Sequence, residues 1–224
     1  MNQPSAFATF KTKGEYVYRT SAYIQWGTSS ASLGSCLLLN PGSSTLFRER
    51  PAPHHSVMGQ TTLDPTMHQL VKLTEAIYQP KAEQGTLEGR LHIYNLFSLQ
   101  NPQAKEAISL FETLLHAGDT ALDEHITRSH ELVKHPWMLL GWGCMAKASR
   151  PITSLKEMWL REIAAAGVPT FGKPCATGKN YYHPCPQLHA MRELILRDLV
   201  ALHTRHADPF ANNPDKLSRS SLDE

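Results

Sequence analysis

Hydrophobic positions along the chain change period several times, and each change marks an element. Residues 15–26 alternate aromatic and polar side chains (Tyr16, Tyr18, Tyr23, Trp26), and read as strands of a peripheral hairpin or a sheet edge. Residues 35–39 form a short unbroken apolar run, the pattern of a strand buried on both faces, ended by Pro41-Gly42-Ser43-Ser44. Further buried strands are predicted at residues 91–97, 137–142 and 168–171. Between them the apolar spacing becomes helical. Helices are predicted over 65–78, with Asp64 as N-cap and Pro65 at the first position, and over 102–115. Three more are predicted over 120–134 with Asp119 as cap, over 154–166 ended by Gly167, and over 187–206. Residues 47–64 follow neither period and read as a long irregular segment, which in a compact domain is usually functional or mobile.

Strands separated by helices imply an α/β fold: a central, mainly parallel four-stranded sheet with helices on both faces. There are no internal repeats and no clear linker, so residues 1–206 read as one domain. Residues 207–224 are polar and are expected to form a disordered tail.

Composition narrows the picture. At 224 residues, 41% hydrophobic and 19% charged, the chain can bury a sizeable core without staples. A net charge of +2 gives no bulk attraction to nucleic acid, so any such surface must be a local patch. The four cysteines, Cys36, Cys144, Cys175 and Cys185, form no C-x-x-C pair. They read as reduced and structural, with Cys185 set apart by its neighbours, and neither a disulfide framework nor an iron–sulfur cluster is expected. No apolar run is long enough to span a bilayer, and residues 1–13 lack the core of a signal peptide. A cytoplasmic protein is expected, without metal or organic cofactor.

The candidate chemistry lies in polar segments at the ends of apolar runs. The loops at the carboxyl ends of parallel strands converge on one crevice, so distant segments can share a site. Four such ends are Leu39-Asn40-Pro41-Gly42, Tyr94-Asn95-Leu96-Phe97, Leu140-Gly141-Trp142-Gly143 and His183-Pro184-Cys185-Pro186. Their order resembles the uracil-DNA glycosylase superfamily, whose members carry an Asn-Pro-Gly or Gln-Asp-Pro type motif after the first strand. A base-reading Asn follows the second strand, a Leu-Leu-Trp-Gly-like stretch marks the third, and a His-Pro-Ser-Pro-Leu type loop follows the fourth. The chain also looks like a divergent bacterial branch of that fold, with Asp64-Pro65-Thr66 as a middle element. The resemblance covers roughly residues 34–203.

The resemblance implies a monofunctional DNA glycosylase, which flips a nucleotide and hydrolyses its N-glycosidic bond to leave an abasic site. A monomer acting on DNA, away from membranes, is expected, and the resemblance implies defence against modified phage DNA as one setting. Asn40 would orient the attacking water or stabilise the cationic sugar; otherwise it caps a turn before Pro41. More active members carry Asp at this position, and an amide is no general base, so Asp64 or Glu49 would substitute. Asp64 serves equally as a helix N-cap. His183 would stabilise the departing base, against the alternative of a loop histidine bonded to backbone. Asn95 would read the base edge or be a buried, backbone-satisfied amide. Phe47 would stack on the base, whereas Phe97 belongs to the core. Ser43, Arg48, Arg50, Lys179 and Gln187 would contact DNA, and Leu188 would wedge into the vacated helix or open the core of the last helix. Two other classes fit the same residues: a non-cleaving binder of modified DNA, and an enzyme of nucleosides or nucleotides.

Overall fold

The computed structural model describes residues 3–42, 55–79, 86–145 and 148–207. The expected DNA and base contacts Ser43, Phe47, Arg48 and Arg50, with Glu49 and the 208–224 tail, lie outside the described residues.

Among the described residues, seven strands form one sheet in the order β4-β1-β2-β5-β3-β6-β7. The strands are β1 (Ser5–Lys13), β2 (Tyr16–Trp26), β3 (Ser32–Leu38), β4 (Ser56–Thr61), β5 (Gly89–Asn95), β6 (Met138–Leu140) and β7 (Thr170–Phe171). The α/β class holds, but the expectation of a four-stranded, mainly parallel sheet does not. β5, β3, β6 and β7 run parallel, whereas β4, β1 and β2 add three antiparallel pairings, including the longest ladder, β1 with β2. β2 matches the strand pattern expected over residues 15–26, whereas β1 and β4 were not expected. β1 carries small residues (Ala6, Ala8) on its buried face, and β4 is exposed along most of its length, so neither shows strong apolar alternation.

The described residues also form five α-helices: α1 (Pro65–Tyr78), α2 (Ala104–Ala117), α3 (Ser129–Leu132), α4 (Arg150–Ala165) and α5 (His189–Ala207). They divide between the two faces because β3 is apolar on both. Cys36 and Leu38 join Met67, Leu70 and Leu73 of α1 and Ile195 and Leu199 of α5 in one core. Leu37 and Leu39 join Phe111 of α2 and Ile152, Leu155 and Trp159 of α4 in the other. Each fully buried side chain of this kind stabilises the fold by roughly 1.5–3 kcal/mol before entropy is counted.

The helix expected over residues 120–134 is instead a 3₁₀ turn (Leu122–His125), an extended Ile126 and the single-turn α3. Tertiary bonds explain the break. His125 bonds Ser98 Oγ at 3.0 Å, and Glu162 of α4 accepts from the Ser129 backbone N–H at 2.8 Å. α1 starts where expected: the Asp64 carboxylate accepts from Met67 N–H at 2.8 Å, with proline in the first turn.

Candidate active site

The carboxyl ends of the parallel strands open into a cavity of about 360 Å³. Its wall collects Asn40 from the end of β3, Asp64 from the start of α1, Asn101 after β5, Trp142 after β6, and His183 and Gln187 before α5. Arg19 of β2 lines it as well. The cavity therefore brings together Asn40, Asp64, His183 and Gln187, four residues separated in sequence but expected to share a site.

Asn40 has a restricted role. Its Nδ2 donates to Pro41 O at 2.9 Å and Asn101 O at 2.8 Å, which engages both amide hydrogens and ties the β3 loop to the β5 loop. Among the described residues the carbonyl oxygen accepts no hydrogen bond, and it is the group left for chemistry. Asp64 caps α1 through one carboxylate oxygen while lining the cavity. It serves as helix cap and cavity carboxylate together.

His183 sits on a loop pressed against β6. A side chain at Gly141 would meet Pro184 Cδ at 2.9 Å, so glycine there permits the close approach. Arg192 of α5 fixes the same loop by donating to Pro186 O at 3.0 Å. Nδ1 of His183 faces both backbone groups of Cys185, the carbonyl oxygen at 2.9 Å and the N–H at 3.2 Å. The backbone can therefore serve either neutral tautomer, and Nε2 is the ring nitrogen remaining. Burial lowers the pKa of His183, partly offset by the Cys185 carbonyl and by Asp64, so the neutral imidazole is favoured.

Other expectations are revised. Asn95 does not line this cavity. It borders a neighbouring one of about 100 Å³, with Ser98, His125 and Trp159, and its Oδ1 accepts from Arg19 Nη2 at 2.9 Å. Lys179 is exposed on the 176–179 turn and does not line the main cavity. Leu188 is 65% exposed beside Gln187, which excludes its reading as a core residue of α5. Phe97 is in the core, stacked on Phe111 at 4.5 Å. The reduced reading of the cysteines is corrected for two of them: Cys144 and Cys175 are disulfide-bonded, with Cα atoms 5.8 Å apart, while Cys36 and Cys185 are free.

No sequence pattern marks Arg19 as part of the site. It is 5% exposed, and burial pulls its pKa down to about 10, with Asp64 acting against the shift. At neutral pH it therefore stays charged. A register shift admits it: Thr9 faces Ser21 but Phe10 faces Arg19, so Thr20 is an extra residue on β2. This bulge turns Arg19 onto the buried face, where strict alternation from Ala22 would point it outward. Asn180 was also missed. Its Oδ1 accepts from Trp142 Nε1 at 3.0 Å and from Lys156 Nζ at 3.1 Å, and its Nδ2 donates to Met145 O. It braces the β6 loop that forms one wall.

No family model, curated protein or solved structure matches this chain. The functional reading therefore rests on the geometry of the site. Among the described residues, no group of three or more His, Cys, Asp or Glu could hold a metal ion, and no helix is long and apolar enough to cross a membrane.

Proposed function

We propose that this chain is a monofunctional DNA glycosylase of the uracil-DNA glycosylase type. The observation that carries the reading is the gathering of Asn40, Asp64 and His183 around one cavity at the carboxyl ends of parallel strands. In the proposed step the N-glycosidic bond breaks with its electron pair passing to the base, and a water oxygen bonds to the sugar C1′. The Asn40 carbonyl oxygen orients that water and the Asp64 carboxylate takes its proton. His183, with Nδ1 accepting from the Cys185 N–H, donates from Nε2 to the charge developing on the base. Its lowered pKa suits this role, since a neutral donor needs no proton from solvent.

The exposed Leu188 beside the cavity fits a wedge that fills the space left by a flipped nucleotide, and Gln187 lies at the same rim. DNA is the proposed partner, the monomer the proposed active form, and the cytoplasm the proposed compartment. Defence against modified phage DNA is the proposed setting. The test is incubation with duplex and single-stranded DNAs carrying uracil, mismatches or modified cytosines, followed by alkaline cleavage. Strand breaks at one class of base are expected. DNA binding without breaks would favour a non-cleaving binder, and turnover of free nucleosides alone would favour a metabolic enzyme.

A further inference from the structure

The antiparallel half of the sheet has a face that lies outside both cores. Strand alternation and register place Phe7 and Lys11 of β1, Tyr23 of β2, and Arg90 and His92 of β5 on it. Phe7 and Tyr23 join neither hydrophobic core, and none of these residues lines either cavity. Lys11 is exposed and the others are half-buried. Phe7 stacks on Tyr23 at 5.3 Å, and Tyr23 meets His92 at 6.1 Å, so rings from three adjacent strands form a row. The Arg90 guanidinium lies over the Tyr23 ring at 4.6 Å, and its Nε donates to Gln25 Oε1 at 2.7 Å, which fixes it there.

The strands that build this face carry charge of one sign. β1, β2, β4 and β5 contain Lys11, Lys13, Arg19 and Arg90 and no Asp or Glu. The bulge turns Arg19 to the other face, and Lys13 donates to the Asp119 carbonyl, which leaves Lys11 and Arg90 as the strand cations of this surface. Burial, and then Lys134 and Arg90, lower the pKa of His92 to about 4, so its ring stays neutral among positive groups. The complement of such a surface is an anion with flat apolar faces. A single strand of nucleic acid meets both demands, because its phosphates seek cations and its unpaired bases stack on rings. In a duplex those base faces are already covered by neighbouring bases. We propose that this face binds single-stranded nucleic acid, with Phe7 and Tyr23 as the stacking platform and Lys11 and Arg90 as the phosphate contacts. The surface is separate from the cavity and does not depend on the glycosylase reading.

Fluorescence anisotropy of a labelled oligothymidylate titrated with the full chain tests it. Phe7→Leu keeps apolar bulk but removes the ring, and it should weaken binding at least about fivefold, the lower end for one ring stacked on a base. The same variant should bind a duplex as wild type does. Lys11→Gln, at an exposed position, should reduce the slope of log affinity against log salt by about 0.7, the loss of one phosphate contact. No binding of the oligothymidylate at low salt overturns the inference, as does binding that both variants leave unchanged. Equal competition by a polyglutamate peptide would make the face a general anion surface and also overturn it. Self-association of the chain that Phe7→Leu abolishes would assign the face to a second copy, with the same consequence. Cleavage of DNA by a chain that fails these binding tests would sink the inference and leave the glycosylase standing. Strand binding that Phe7→Leu weakens, with no cleavage of any DNA, would do the reverse.

Discussion

The two halves of the sheet bury their strands differently. β3, in the parallel half, is apolar on both faces and is covered by α1 and α5 on one side and α2 and α4 on the other. β1, in the antiparallel half, buries Ala6, Ala8, Phe10 and Thr12 but leaves Ser5, Phe7, Thr9 and Lys11 partly or fully exposed. A strand covered on both faces is a rigid support, and its loops hold Asn40 in place. The half-covered strands tolerate a bulge, and the bulge delivers Arg19. The difference shows how one sheet combines a scaffold with an adaptable wall.

The halves are joined by a row of rings. Phe7 stacks on Tyr23 at 5.3 Å, followed by His92, His135, Tyr94 and Trp159, each within 6.1 Å of the next. Truncation at the two ends of this row separates the halves energetically. Trp159→Ala, in the fully covered half, should destabilise by about 3–5 kcal/mol. Guanidinium unfolding followed by far-ultraviolet circular dichroism measures it, and a loss below about 1 kcal/mol would break the comparison.

The Cys144–Cys175 disulfide joins the loops after β6 and β7 across a sequence separation of 31 residues. Chain entropy for a loop of this length predicts about 3.7 kcal/mol of stabilisation. Cys144→Ser should lower Tm and remove its dependence on reductant. An unchanged Tm would show that the parallel half holds these loops without the link.

Acid should act on the histidines along the sheet. Burial lowers His92 and His125 to a pKa of about 4 and His135 to about 3. The unfolded chain takes up these protons near pH 6.5 and the folded chain only near pH 3–4. The neutral rings thus contribute stability above pH 6.5, and it is lost as pH falls through that window. The slope is at most about 1.4 kcal/mol per pH unit for each histidine. His92→Asn and His135→Asn should flatten the denaturation midpoint against pH; an unchanged slope would contradict the assignment. The smallest effect belongs to the open face: Phe7→Ala should cost about 1 kcal/mol by the same denaturation assay, because its ring is only partly buried.

Much of the parallel half was legible in the sequence, because double burial writes unbroken apolar runs and helix caps write their own residues. The run before Asn40 and the Asp64-Pro65 start of α1 are such signals. They also placed Asn40, Asp64 and His183 on converging loops. What escaped depends on register and on partners distant in sequence. Arg19 reads as an outward residue until Thr20 bulges. Asn95 reads as a free base contact until Arg19 engages its oxygen. The segment 120–134 has helical spacing, but its bonds to Ser98 and Glu162 are tertiary and leave no local pattern.

The central claim is that the cavity at the carboxyl strand ends breaks an N-glycosidic bond with His183 as donor to the departing base. Single-turnover cleavage of the best DNA substrate by wild type and His183→Ala tests it most directly. His183 lies on a loop, so the variant should fold normally and its rate should fall roughly 100- to 1000-fold, the usual effect of removing one such donor. A well-folded His183→Ala protein that cleaves at the wild-type rate would contradict the account.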